Sequence, residues 1–209
     1  MSNGICKHTP ASTRTRWLER GWVFVGCGLA GAMLAATPVH AEMSRDEIIR
    51  KALSAGPPQM AETAMVVGPD GTVLKEGTGK FTCMLTPAEP TGGAPMCADK
   101  TWMPWADAWV NNKPYTPSGR LGLAYMLAGD TSNGGASNTD PSAMAPTADN
   151  EWVVEGPHIM LIVPDETLLA DIPSDPNSGG PYVMWRGTPF AHVMMPVGPR
   201  PAQRQVAEK

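Results

Sequence analysis

The run Pro157-His158-Ile159-Met160-Leu161-Ile162-Val163 decides the architecture. Ile159 to Val163 is an unbroken apolar stretch, too short for an ordinary helix and rich in β-branched residues, so it reads as a buried strand. Ala191-His192-Val193-Met194-Met195-Pro196-Val197 has the same make-up and opens with the same His-x-Met spacing. Residues i and i+2 of a strand share a face, so each run presents an imidazole and a thioether together. Strands close in sequence commonly pair. The two runs, bracketed by Pro157 and Pro196, are therefore expected as antiparallel neighbours with both His-x-Met pairs on one face. Equal sums of residue numbers suggest a register with His158 opposite Met194 and Met160 opposite His192. His158, Met160, His192 and Met194 would then form a set of soft and borderline ligands suited to Cu(I).

Outward from these strands the pattern continues to favour short β elements. Ala64 to Val67 and Thr72 to Lys75 flank a Gly68-Pro-Asp-Gly71 turn and read as a hairpin. Lys80 to Met84, Leu121 to Leu127 and Tyr182 to Trp185 read as further strands. Ser44-Arg-Asp-Glu47 is a capping box. It opens a helix over 45–55 whose apolar stripe is Ile48, Ile49, Ala52 and Leu53. Gly56-Pro57-Pro58 stops that helix. Trp102 to Asn112 reads as a second helix, with Pro104 in its first turn and Trp102, Trp105 and Trp109 on one side. That stripe is either core or a ligand-stacking platform. Glu166 to Ala170 reads as a short helical turn. Residues 129–151 form a long polar loop. Its oxygen ligands Asp130, Asn133, Asn138, Asp140, Asp149 and Glu151 could gather calcium, though in no ordered calcium-loop pattern. The expected fold class is α+β: a mainly antiparallel sheet of roughly five to seven strands, two or three short helices and one disulfide.

Residues 1–41 are a different regime. Lys7, Arg14, Arg16 and Arg20 precede a largely apolar stretch from Gly21 to Ala36, and Val39-His40-Ala41 follows. That order reads as a secretory signal peptide cleaved after Ala41. Its apolar part is too short for a membrane span. The protein is expected in the periplasm or secreted, with residues 42–197 a single globular α+β domain and 198–209 a flexible C-terminal tail. Cleavage removes four of the 16 basic and one of the 20 acidic residues, leaving 12 against 19 and a formal charge of −7. An acidic surface disfavours nucleic acid and anionic membranes as partners. A small ligand or a metal remains open. Only Cys83 and Cys97 stay in the mature chain, and in an oxidising compartment they are expected to form a disulfide. The proline- and glycine-rich segment between them, Met84 to Met96, is expected to lack regular structure.

Enzyme signatures are sparse. The mature chain has no G-x-S-x-G, no phosphate-binding glycine loop, no H-E-x-x-H and no C-x-x-C. Three readings therefore stand together. One is an exported binding module of unassigned ligand, with Cu(I) the candidate. Another is a periplasmic hydrolase using His158 or His192 as base. The third is a structural or interaction protein without a small-molecule site.

The run His158-Ile-Met-Leu-Ile162 resembles the H-x-M piece that closes the copper site of small periplasmic copper chaperones. That resemblance covers five residues and implies a Cu(I) role for His158 and Met160. Gly122-Leu-Ala-Tyr-Met-Leu, Ala136-Ser-Asn-Thr-Asp-Pro141, Gly156-Pro-His-Ile-Met and Pro181-Tyr-Val-Met-Trp together resemble a family of small exported bacterial proteins. That likeness implies export and a single domain, and carries no activity.

Overall fold

The first helix, α1 (Arg45–Leu53), starts where the capping box places it. The Ser44 amide donates to Glu47 Oε2 at 2.8 Å while the Glu47 amide donates back to Ser44 Oγ. The computed structural model describes residues 43–201, so the expected leader and residues 202–209 lie outside the described residues. Pro57-Pro58 ends α1 and also begins a helix that the sequence reading lacks, α2 (Pro58–Thr63). Proline at a first helical position gives up only an amide that has no partner there.

The strands are β1 (Met65–Val67), β2 (Val73–Lys75), β3 (Phe81–Leu85), β4 (Pro95–Asp99), β5 (Gly122–Met126), β6 (Ala136–Ser137), β7 (Trp152–Val153), β8 (His158–Ile162), β9 (Tyr182–Met184) and β10 (His192–Pro196). The helix α3 (Trp102–Val110) lies between β4 and β5, and a 3-10 turn (Glu166–Leu169) follows β8. The main sheet has eight strands in the order β2-β1-β3-β4-β5-β8-β10-β9, antiparallel except for the β1–β3 pair. It is one strand larger than expected. The addition is β4, which occupies the end of the segment expected to be irregular. Its residues pair with β3 from Phe81↔Asp99 to Leu85↔Pro95, and Cys83 falls directly opposite Cys97. Pro95 is tolerated because it only starts the strand. The Cys83–Cys97 disulfide is present with both residues fully buried. In the chain-entropy account it stabilises the fold by about 3 kcal/mol.

Side chains of the sheet alternate between two apolar layers. On one face Cys83, Cys97 and Val66 meet Ala52 and Ala55 beside α1, and further along Val183 and Val193 meet Leu169. On the other face Met96, Met126, Met160, Met184 and Met194 pack with Trp102 and Trp105 of α3. Short β6 and β7 pair with each other and bring order to the loop expected to be structureless. The Asn138 side chain donates to Glu151 Oε2 at 2.6 Å and to the Ser174 carbonyl at 2.8 Å. The oxygens considered for calcium have separate local tasks. Asp140 caps Ser142, and Asp130 accepts the Glu155 amide. Among the described residues no helix is long and apolar enough to cross a membrane.

The first residues of the expected tail are held by specific contacts. Arg200 donates to both carboxylate oxygens of Glu155 at 2.8–3.1 Å, so residues 198–201 are fastened down. A Cβ at Gly156 would lie 2.1 Å from the Pro199 carbonyl oxygen, a close approach that only glycine permits.

Candidate functional site

Strands β8 and β10 are neighbours, and the two His-x-Met pairs do share a face. Their register differs from the expected one by two residues. Met160 pairs with Met194, and His158 faces Pro196. A slip of two leaves every side chain on its own face, so the apolar pattern that fixes the face cannot fix the register. The outer neighbours complete three cross-strand pairs. Met126 on β5 lies opposite His158, Met160 opposite Met194, and Met184 on β9 opposite His192. The thioether pair thus sits centrally with an imidazole toward each end. His192 is four residues from Pro196, the partner of His158, which separates the two histidine backbones by about 14 Å along the strands. One ion cannot draw on both rings and both sulfurs in the way first expected.

These residues still surround one space. A cavity of about 70 Å³ is lined by Met96, Met126, Met160, Met184, Met194, His158 and His192, with Trp105, Trp109 and Trp185 closing it on the α3 side. Both histidines are 1% exposed. Each Nδ1–H donates to the carbonyl two residues back: His158 to Gly156 at 2.7 Å and His192 to Phe190 at 2.9 Å. A carbonyl only accepts, so Nδ1 carries the proton and the lone pair of a neutral ring sits on Nε2. Ligand histidines are oriented in this way. His192 is boxed edge-on by Trp102, Trp105 and Trp185, with ring centroids 5.7, 5.2 and 5.1 Å away. Trp185 holds a left-handed backbone (φ 58°), unusual for a bulky residue. Its indole N–H donates to the Ser137 carbonyl at 2.6 Å, and its ring stacks on Trp105 at 5.5 Å. Such outliers gather at functional sites.

The cavity has a polar end, of which the sequence named Asp130, as a possible calcium oxygen, but not Glu155. Asp130 and Glu155 line it beside His158. Burial pushes the Asp130 carboxyl above its ordinary range, partly offset by His158. Glu155 is held by Arg200 and by the Tyr182 hydroxyl, which donates at 3.0 Å. Burial, then the charge of Glu155, pushes the Tyr182 hydroxyl far up. The signal for Glu155 was an acid inside the mostly apolar Trp152 to Val163 segment.

The chemistry available is that of soft ligation. Among the described residues no group of three or more His, Cys, Asp or Glu could hold a metal ion, so a bound metal would depend on thioethers. For a hydrolase, no hydroxyl hydrogen-bonds either imidazole among the described residues. Thr86 and Thr91, the hydroxyl residues on the cavity wall, donate instead to backbone carbonyls of Ala94 and Pro87. Comparison with protein-family models, curated proteins and solved structures found no match to this chain.

Burial holds the His192 imidazole down to about 4 from an ordinary 6.5. Between those values the unfolded chain binds a proton that the native chain does not. Stability of the metal-free protein should therefore fall as pH drops through that window, by about 3 kcal/mol in all. Denaturant unfolding at pH 7 and pH 4.5 checks this. His192→Phe should flatten the acid loss, and an identical slope in both proteins would refute the assignment.

Proposed function

We propose that this protein is an exported binding module for Cu(I). Two opposed thioethers, Met160 and Met194, form the fixed part of the site, and one of the flanking imidazoles completes it. The observation that carries the reading is the Met160↔Met194 pair in the wall of a cavity whose two histidines are both locked with Nδ1 protonated. Thioether sulfur is a soft donor that prefers Cu(I) to Zn(II), Ca(II) or Mg(II). Neutral imidazole is compatible with the same ion, and His192 needs no deprotonation near neutral pH. Indole faces beside the cavity suit a desolvated cation. The leader-like residues 1–41 and the H-x-M resemblance agree with copper handling outside the cytoplasm.

The test is Cu(I) competition between the mature chain and a chromophoric chelator, with ascorbate keeping copper reduced and the disulfide intact. One equivalent should bind. Met160→Leu/Met194→Leu should weaken binding at least a hundredfold, about 3 kcal/mol. Leucine approximates the volume of methionine, so the fold should survive. Replacing His158 and His192 singly by leucine identifies the third ligand. No binding would sink the proposal and favour an interaction protein without a small-molecule site, and binding indifferent to the double substitution would sink Met160 and Met194 as its ligands.

A further inference from the structure

A second space lies beside α3. It is a groove of about 690 Å³ between the β3–β4 connection and the helix, and its walls are predominantly apolar. Three methionines line it: Met84, Met96 and Met103. Met84 and Met96 are direct cross-strand partners, which places their side chains together on one face. Met103 comes from the first turn of α3, and both it and Met84 are half-buried. Met96 is 6% exposed and lines both spaces, as do Trp105 and Trp109. The charged residues on the groove wall are Lys51 and Asp107, the latter paired with Lys113 at 3.0 Å.

We infer that this groove is an outer station for the same soft cation, and that Met96 passes the ion inward. The inference rests on the reading of the inner cavity as a Cu(I) site. A buried site needs a route, because a hydrated cation entering an apolar interior loses its water ligands at large cost. Thioethers replace those ligands one at a time without introducing charge. Met84 and Met103 meet the ion where solvent still reaches, and Met96 faces both compartments. From Met96 the next sulfur on the inner wall belongs to Met126, and beyond it lies Met160. The acidic mature chain raises the local concentration of any cation.

The experiment compares the wild-type mature chain with Met84→Leu/Met103→Leu, using Ag(I) as an air-stable stand-in for Cu(I). Stopped-flow quenching of indole fluorescence reads the rate of loading, and chelator competition reads affinity. Loading should slow at least tenfold while equilibrium affinity stays within about twofold. Each single substitution should slow loading by at least threefold, which serves if the double variant folds poorly by circular dichroism. Unchanged loading rates in a protein that binds normally would overturn the outer station and leave the inner site standing. A loss of equilibrium affinity in this variant, with none in Met160→Leu/Met194→Leu, would place the site in the groove and overturn both. Failure of the wild-type chain to bind either ion would overturn both as well.

Discussion

Arg200→Ala should destabilise the protein by about 3–5 kcal/mol, the range for a buried ion pair that loses one partner. Glu155 is 1% exposed, and the guanidinium of Arg200 reaches it through three contacts of 2.8–3.1 Å. The same guanidinium donates to Asn177 Oδ1 at 2.9 Å and lies over the Tyr182 ring at 5.8 Å. Without it, Glu155 keeps only the Tyr182 hydroxyl and the Gly156 amide as donors among the described residues. In a domain of this size the loss corresponds to a melting temperature lower by roughly 6–20 °C. Glu155→Gln in the Arg200→Ala background should recover part of the loss. A chain ended at Gly198 should behave like Arg200→Ala. If calorimetry finds both neutral, residues 198–201 are a loose tail after all.

That anchor could not be read from the sequence, and the reason is physical. Glu155 and Arg200 are single charges 45 residues apart, and neither belongs to a periodic pattern. What was legible was local. The capping box at Ser44, the proline in the first turn of α3 and the alternation in β5 each depend on residues within one or two turns or a single strand. The shared face of the two His-x-Met pairs was legible because it follows from a period of two. Their register was not, because no tight turn joins β8 to β10. The pairing that forms sets Met126 opposite His158 and Met184 opposite His192 on the flanking strands. Strand β4 was hidden for a related reason. Its β character comes from lying between β3 and β5, with Cys97 opposite Cys83, rather than from its own composition. The candidate site was half legible. Four of its lining residues, His158, Met160, His192 and Met194, were placed together, while Met96, Met126, Met184, Asp130 and Glu155 reach the cavity only through the sheet order and the loop that covers it.

Trp105→Ala is the second large effect, a loss of about 3–5 kcal/mol with a consequence beyond stability. The ring contacts Trp102 at 4.9 Å, Trp185 at 5.5 Å, Phe190 at 5.7 Å and His192 at 5.2 Å, and its N–H donates to the Phe190 carbonyl at 3.2 Å. It also stands between the inner cavity and the groove, since it lines both. Deleting the ring removes packing on several sides at once, and neighbours held by the sheet can collapse into the gap only in part. The two spaces should then join and admit water to His192. Burial is the largest cause of that imidazole's low pKa, so hydration should move it back toward 6.5. Nuclear magnetic resonance titration of the His192 ring measures this directly. Trp105→Phe, which keeps an aromatic plug, should lose less stability and leave the titration near its wild-type position. If His192 still titrates near 4 in Trp105→Ala, the ring is a packing element only, and the wall between groove and cavity is built by other residues.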